Sequence, residues 1–250
     1  QIADMFILSE DYWEIKEVSG KGRGVFAKKN IPGGTLIGDY IGRVTRSEEV
    51  DEQKEGLYDM WYNYQTDIVA DPSRIGVHLI NHSCSPNCDT FPYKNHMLVF
   101  AVRKIFADEE LSLSYYLEPP VDEKFPCAHA CQCGSPICHG TFHTSEAVGE
   151  KWGTFVEKMV GEKNFHQPPP VAYGKQLPRL HQYPKKINDY PIYDIYGSLT
   201  EKPLECEGET MPKLSHVRAL IRKSGRRLHF HKLGIIIFGV MRGMVILFTK

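Results

Sequence analysis

The sequence predicts a mostly β chain of short strands joined by long functional turns. Three observations predict it. Glycine and proline punctuate the first half of the chain, at Gly20, Gly22 and Gly24, at Pro32-Gly33-Gly34 and at Pro119-Pro120. The apolar runs between these breaks are strand-length rather than helix-length. Helical patterns are few.

Trp13 to Val44 reads as short strands and glycine-rich turns, with Val25-Phe26-Ala27 as one buried strand and Leu36 to Ile41 as another. Ser47-Glu48-Glu49-Val50-Asp51-Glu52 predicts a helix start, with Ser47 as cap and acids in the first turn. Asp59 to Val69 is aromatic-rich and predicts one or two strands, closed by a turn at Asp71-Pro72. Gly76 to Ile80 is a short apolar run, Met97 to Val102 a strand, and Leu111 to Tyr115 an alternating segment stopped by Pro119-Pro120. Ser145 to Val160 predicts one helix weakened by Gly149 and Gly153, and Pro168-Pro169-Pro170 a linker. Beyond it, Tyr190 to Leu199 and Ser215 to Phe248 predict further strands with a turn at Ser224-Gly225.

A chain of 250 residues accommodates one large domain or two small ones. Net charge is −1, so the chain as a whole has no strong pull toward nucleic acid or anionic membrane. The segment from Lys213 to Lys232 is locally basic, with Lys or Arg and no acid. The most apolar stretch, Leu233 to Phe248, is interrupted by Arg242 and is shorter than the ~20 residues that span a bilayer, so buried strands are expected rather than a membrane tail. Residues 1–20 show no basic start followed by an apolar run. With seven cysteines, clustered mainly between Cys84 and Cys138, this argues against a disulfide framework and for a reducing, intracellular, soluble setting with metal-bound thiolates.

Two stretches carry chemistry. Asn81-His82-Ser83-Cys84-Ser85-Pro86-Asn87 packs an amide, an imidazole and a thiol into four residues. Cys131, Cys133 and Cys138 form a thiol loop bent at Gly134 and Pro136. Three thiols leave a tetrahedral zinc one ligand short, and Cys84 is a ready fourth. Cys127, His129 and His139 lie nearby as spares, and Cys88 reads as a small buried residue.

Gly22-Arg23-Gly24-Val25-Phe26-Ala27, Tyr40-Ile41-Gly42, the Asn81 to Asn87 turn, and Glu109-Glu110-Leu111 leading to Tyr115 together resemble the ordered motifs of SET-domain lysine methyltransferases. The thiol loop followed by His139-Gly140 looks like that family's post-SET zinc loop. The resemblance covers roughly residues 12–141. It implies a fold of small curled sheets with a threaded C-terminal segment, a SET domain at 12–118 and a post-SET zinc loop at 119–145; the residues beyond it read on their own as a helix and proline-rich linker at 146–170 and a basic C-terminal β region at 171–250. It also implies transfer of a methyl group from S-adenosylmethionine to a protein lysine, with histone tails the commonest substrate class and a nuclear site if the substrate is a histone.

Methyl transfer to an amine is an in-line displacement at a sulfonium carbon, so the protein contributes positioning, electrostatics and a dry channel for a neutral amine. The resemblance makes Tyr115 the catalytic residue and Asn81 and His82 the cofactor-contacting pair. Gly22, Arg23 and Gly24 would let the backbone approach the cofactor, with Tyr62 beside it. Tyr40, Leu113 and Tyr116 would line the substrate channel, Tyr64 is a weaker aromatic candidate, and Phe125 or Phe142 would wall the pocket. Zinc would be held by Cys84, Cys131, Cys133 and Cys138. Three positions depart from the family pattern: His78 stands where arginine is usual, Leu113 where tyrosine or phenylalanine is usual, and Ser114 where aspartate is usual. Leu113 occupies less space than an aromatic ring and has no hydroxyl to hold a water, which predicts a di- or trimethyl-lysine product.

Tyr183-Pro184-Lys185-Lys186 and the stretch from Arg218 to Phe230 resemble the start of the anticodon-binding OB-fold of lysyl-tRNA synthetases, in a region too short for a complete five-stranded barrel. The sequence therefore leaves two alternatives beside the enzyme. One is a catalytically weak SET and zinc interaction module. The other is weak nucleic-acid contact through the basic C-terminal region. No membrane partner is expected.

Overall fold

Ten short strands pair into four small sheets among the described residues of the computed structural model, which are 5–50, 58–63, 65–117, 130–135, 138, 140–143 and 171–185, with isolated positions at 150, 154 and 219. The strands are β1 (Trp13–Val18), β2 (Gly22–Ala27), β3 (Leu36–Asp39), β4 (Arg43–Arg46), β5 (Asp59–Asn63), β6 (Thr66–Val69), β7 (Asn81–His82), β8 (Cys88–Tyr93), β9 (His96–Ala101) and β10 (Ser112–Leu113). β1 and β2 form an antiparallel hairpin whose turn uses Gly20 and Gly22 at φ 77° and 72°, in the left-handed region that a side chain would strain. β3, β9 and β8 form one antiparallel sheet in that order, and β4, β6 and β5 another.

β9 is the central strand of its sheet and every residue in it is buried, which is why Met97 to Ala101 read as an unbroken apolar run after His96. Its two faces separate with period two. Met97, Val99 and Ala101 join the main core with Ile31, Ile37, Val77, Ile80, Ile105 and Leu111, while Leu98 and Phe100 join a second cluster with Leu36, Phe91 and Val102. β8 carries Pro92 and polar residues and gave no strand signal. It lies at the sheet edge, where a proline is tolerated, and its turn to β9 places Lys94 and Asn95 at φ 47° and 63° in a tight hairpin.

The helix expected from Ser47 is a single 3-10 turn, Ser47–Glu49, entered at Arg46 with no side-chain cap. The Ser47 hydroxyl bonds Asp67 instead, and the turn buries nothing, so no apolar face stabilises a longer helix. Asp51 and Glu52 lie outside the described residues.

The segment 109–113 is held on two flanks. On one side Ala27 N donates to Glu109 O and Leu111 N to Val25 O, at 2.9 and 2.8 Å. On the other, β10 runs parallel to β7, pairing Ser112 with Asn81 and Leu113 with His82. Asn87 fastens this enclosure: its Nδ2 donates to Glu110 O and Glu109 Oε1, and its Oδ1 accepts from Ser112 N at 2.8 Å. Glu109 also pairs with the buried Arg103 and accepts from Phe106 N, so its charge is compensated.

Residues 171–185 run along β4. Val44 N donates to Lys175 O, Gly174 N to Val44 O and Leu177 N to Gly42 O, and Leu177 is 1% exposed within the main core. The Tyr183 hydroxyl donates at 2.6 Å to the buried Asp39 carboxylate, which His96 also meets at 2.8 Å. This stretch, expected to open a separate C-terminal β region, is therefore built into the first one. Apart from the isolated positions 150, 154 and 219, the expected helix at 145–160, the proline linker, the strands at 190–199 and 215–248 and the basic stretch lie outside the described residues. No helix among the described residues is long and apolar enough to cross a membrane.

Candidate active site and metal centre

The parallel β7–β10 pair gathers the site. Tyr115 follows β10 by two residues; its backbone N–H donates to His82 Nδ1 at 3.2 Å and its hydroxyl to Ile80 O at 3.3 Å. The His82 and Tyr115 rings meet edge-on at 5.3 Å between centroids, and Phe142 packs on both at 5.2 and 5.8 Å. Burial raises the Tyr115 phenol well above its ordinary pKa, so the group stays protonated. Tyr40 is buried and donates to Tyr58 O at 2.8 Å; its phenol is likewise raised by burial, with Asp59 and Tyr115 adding to the effect. Leu113 is buried in the main core, against which Tyr62 and Tyr58 also pack. Burial pushes the Tyr62 phenol up to about 12. Tyr116 takes a left-handed backbone at φ 49° beside Tyr115.

Asn81 lies across the β1–β2 hairpin. Its Nδ2 donates to Arg23 O at 3.2 Å and to Glu110 Oε1 at 2.8 Å. A Cβ on Gly24 would come within 2.8 Å of Asn81 Nδ2 and 2.9 Å of Glu110 Oε1, so glycine is needed there for close approach. Gly22 has open space around it. The Arg23 guanidinium turns away to the Pro72 carbonyl, leaving its backbone oxygen as its contribution to the site. His78 is buried with neither ring nitrogen well hydrogen-bonded among the described residues, and burial lowers its pKa to about 4, helped by the nearby Arg23 charge. Ser114 is half-buried between Leu113 and Tyr115.

The four predicted thiols converge. The Sγ atoms of Cys84, Cys131, Cys133 and Cys138 all lie within 4.8 Å of one another, with Cys84 at 3.9 Å from Cys131 and 4.0 Å from Cys138. A tetrahedral zinc with Zn–S near ~2.3 Å holds its sulfurs roughly 3.8 Å apart, so the cluster fits that ion. Backbone N–H groups of Cys133, Ser135 and Gly140 point at the sulfurs of Cys131, Cys133 and Cys138 at 3.3 to 3.4 Å, which favours thiolates. Hydrogen bonding from Cys84 lowers the Cys133 thiol, while burial raises that of Cys131. Cys88 lies outside the cluster, fully buried, with its thiol raised by desolvation. Cys127, His129, His139, Phe125 and Tyr64 lie outside the described residues. The loop reaches back to the hairpin, because a Cβ on Gly20 would meet Gln132 Oε1 at 2.0 Å.

Residues 22–116 match the family model of the SET domain. The histone-lysine N-methyltransferase trithorax of Drosophila virilis is 35% identical over 142 residues, which are 52% of this chain and 4% of that protein. A histone-lysine N-methyltransferase, H3 lysine-4 specific, of Mycosarcoma maydis is 34% identical over 128 residues, 46% of this chain and 8% of that protein. Among solved structures, KRYPTONITE in complex with mCHG DNA and SAH aligns with a TM-score of 0.44 at 25% identity, over 52% of this chain and 28% of that one. The chain thus spans a small fraction of the relatives it matches. The SET match begins at Gly22 and ends at Tyr116, so it takes in the hairpin glycines, Asn81-His82 and Tyr115, and stops short of the cysteines at 131–138.

Sequence reasoning passed over Lys21, Tyr58, Asn87 and Glu110 as site residues. Asn87 and Glu110 stood inside quoted motifs, and the signal that marks them is the pairing partner each meets across the fold rather than its neighbours in the chain.

Proposed function

We propose that this chain is an S-adenosylmethionine-dependent protein-lysine N-methyltransferase, with histone lysine as the substrate class. The observation that carries the reading is the β7–β10 pairing inside the SET match, which sets a half-buried, protonated Tyr115 phenol beside the Asn81-His82 pair. S-adenosylmethionine would supply the methyl group on a sulfonium. Asn81, the Arg23 carbonyl and the backbone at Gly24, which a Cβ would crowd off Asn81, would hold its polar end.

Tyr115 acts as an oriented dipole rather than a base, since burial holds its proton and that proton is given to the Ile80 carbonyl. Its hydroxyl, fixed by the Ile80 carbonyl, would align the reacting centres, while Tyr40, Leu113 and Tyr116 would line a channel that excludes water and favours the neutral amine. The four cysteines would bind zinc in a closed, structural manner, worth on the order of 10–16 kcal/mol to folding of the loop. That loop carries Phe142 onto His82 and Tyr115. The relatives' printed names favour histone H3 for the substrate, and with it a nuclear setting.

Labelled methyl transfer from S-adenosylmethionine onto core histones and onto a total protein extract tests the proposal, wild type against Tyr115→Phe. Label on lysine that depends on Tyr115 is the expected result. No transfer to any protein, from chain carrying zinc, overturns it.

A further inference from the structure

The Asn81 amide is held in one orientation by two acceptors. Arg23 O lies 3.2 Å and Glu110 Oε1 2.8 Å from its Nδ2. A carbonyl and a carboxylate accept and cannot donate, so the side of the amide that faces them must be the nitrogen. Both amide protons are then committed, and among the described residues Oδ1 has no hydrogen-bond partner. Glu110 is itself fixed from its other oxygen by Lys21 Nζ at 2.7 Å, with the two side chains 22% and 11% exposed. Gly24 leaves the space this pair occupies, because a Cβ there would press on Asn81 Nδ2 and Glu110 Oε1 together.

We infer that Glu110 is a positioning residue that locks Asn81 with Oδ1 as its outward acceptor, and that this makes the site selective for methyl donors bearing a free α-amine. The inference rests on the methyltransferase reading above. An ammonium group carries donors and no acceptor, so it matches Oδ1 and would be rejected by the reversed amide. The Glu110 charge adds attraction for the same cation, although Lys21 offsets part of it. Without Glu110, the amide keeps one acceptor at Arg23 and gains freedom to turn its nitrogen outward.

The test is calorimetric titration of the zinc-loaded full chain with S-adenosylhomocysteine and with its analogue lacking the α-amine. Wild type is expected to prefer the amine-bearing ligand about tenfold or more. Glu110→Ala is expected to weaken S-adenosylhomocysteine about tenfold and to abolish that preference. Glu110→Gln, which still offers an acceptor to Nδ2, is expected to restore both to within about threefold of wild type. A merely structural Glu110 would lower the melting temperature and leave the preference intact, which overturns the inference. So does a wild type that ignores the amine, a result that stands even if Glu110→Ala does not fold. A wild type that binds neither ligand overturns the methyl-donor reading itself.

Discussion

The Tyr115 hydroxyl donates to the Ile80 carbonyl at 3.3 Å, immediately before the Asn81-His82 pair. Burial keeps that hydroxyl protonated, so in the proposed reaction it would serve as a fixed dipole at the reacting centre. Tyr115→Phe keeps the ring packing on His82 and Phe142 and removes only the dipole. We expect kcat to fall by about 10²–10³ with donor affinity within a few fold, measured by steady-state transfer and calorimetry.

The same burial predicts the pH profile. A lysine substrate with pKa near ~10.4 supplies about tenfold more neutral amine for each pH unit gained below that value. The Tyr115 phenol, raised above its ordinary value, adds no break in this range. The logarithm of kcat/KM should therefore rise with a slope near one from about pH 7 to 9. A bell with its maximum below pH 9 would show that a second group on the enzyme titrates.

The metal centre separates two neighbouring thiols. Cys84 lies in the sulfur cluster, while Cys88, four residues on, lies buried outside it. Native mass spectrometry should find one zinc per wild-type chain, none in Cys84→Ser and one in Cys88→Ser. Chelation should also abolish donor binding, because the loop that zinc would hold brings Phe142 to His82 and Tyr115.

Much of this site was legible because its parts are local in the chain. The Asn81 to Cys84 turn, the cysteine spacing and the glycines of the β1–β2 hairpin each concentrate unusual chemistry in a few residues. What sequence could not supply is non-local. Glu110 matters through Lys21, far earlier in the chain, and Asn87 through Ser112. β8 hid because its polar residues and Pro92 are acceptable only at a sheet edge, and edge position is a property of the assembled sheet. Ser47 carried the signs of a helix cap, but its hydroxyl found Asp67 across the sheet. The break at 170 was drawn on prolines, whereas Leu177 and Tyr183 bind the following residues to β4 and Asp39.

Leu113 tests the methyl count. It is buried, lies opposite His82 in the β7–β10 pair and stands two residues before Tyr115. A leucine leaves more space than a ring and offers no hydroxyl to pin a water on the amine, so a saturated reaction should end at di- or trimethyl-lysine. Leu113→Phe should shift the end point toward monomethyl-lysine. Mass spectrometry of the exhausted wild-type reaction decides it, and a stop at one methyl would sink the idea.

Leu177 is expected to behave as a core residue of the β4 sheet. Leu177→Ala should cost about 2–5 kcal/mol in urea unfolding, as for other large-to-small changes at fully buried sites. Were residues 171–185 an independent appendage, the same substitution would leave the main transition unmoved.

His78 and Asp67 should pull acid stability in opposite directions. The His78 pKa is lowered from 6.5 to about 4 by burial, so the unfolded chain binds its proton first and stability is lost as pH falls from about 6.5 to 4. The Asp67 pKa is raised from 3.8 to about 6, again chiefly by burial, so the folded chain binds its proton first and stability is gained as pH falls from about 6 to 4. Each shift is worth on the order of 3 kcal/mol, and over the shared window the two largely cancel. Single substitutions should uncover each slope. Relative to wild type, Asp67→Asn should lose stability on acidification from pH 6.5 to 4, and His78→Phe should gain it. Urea midpoints of the three proteins across that range check the signs. Zinc loss at low pH is common to all three and drops out of the differences.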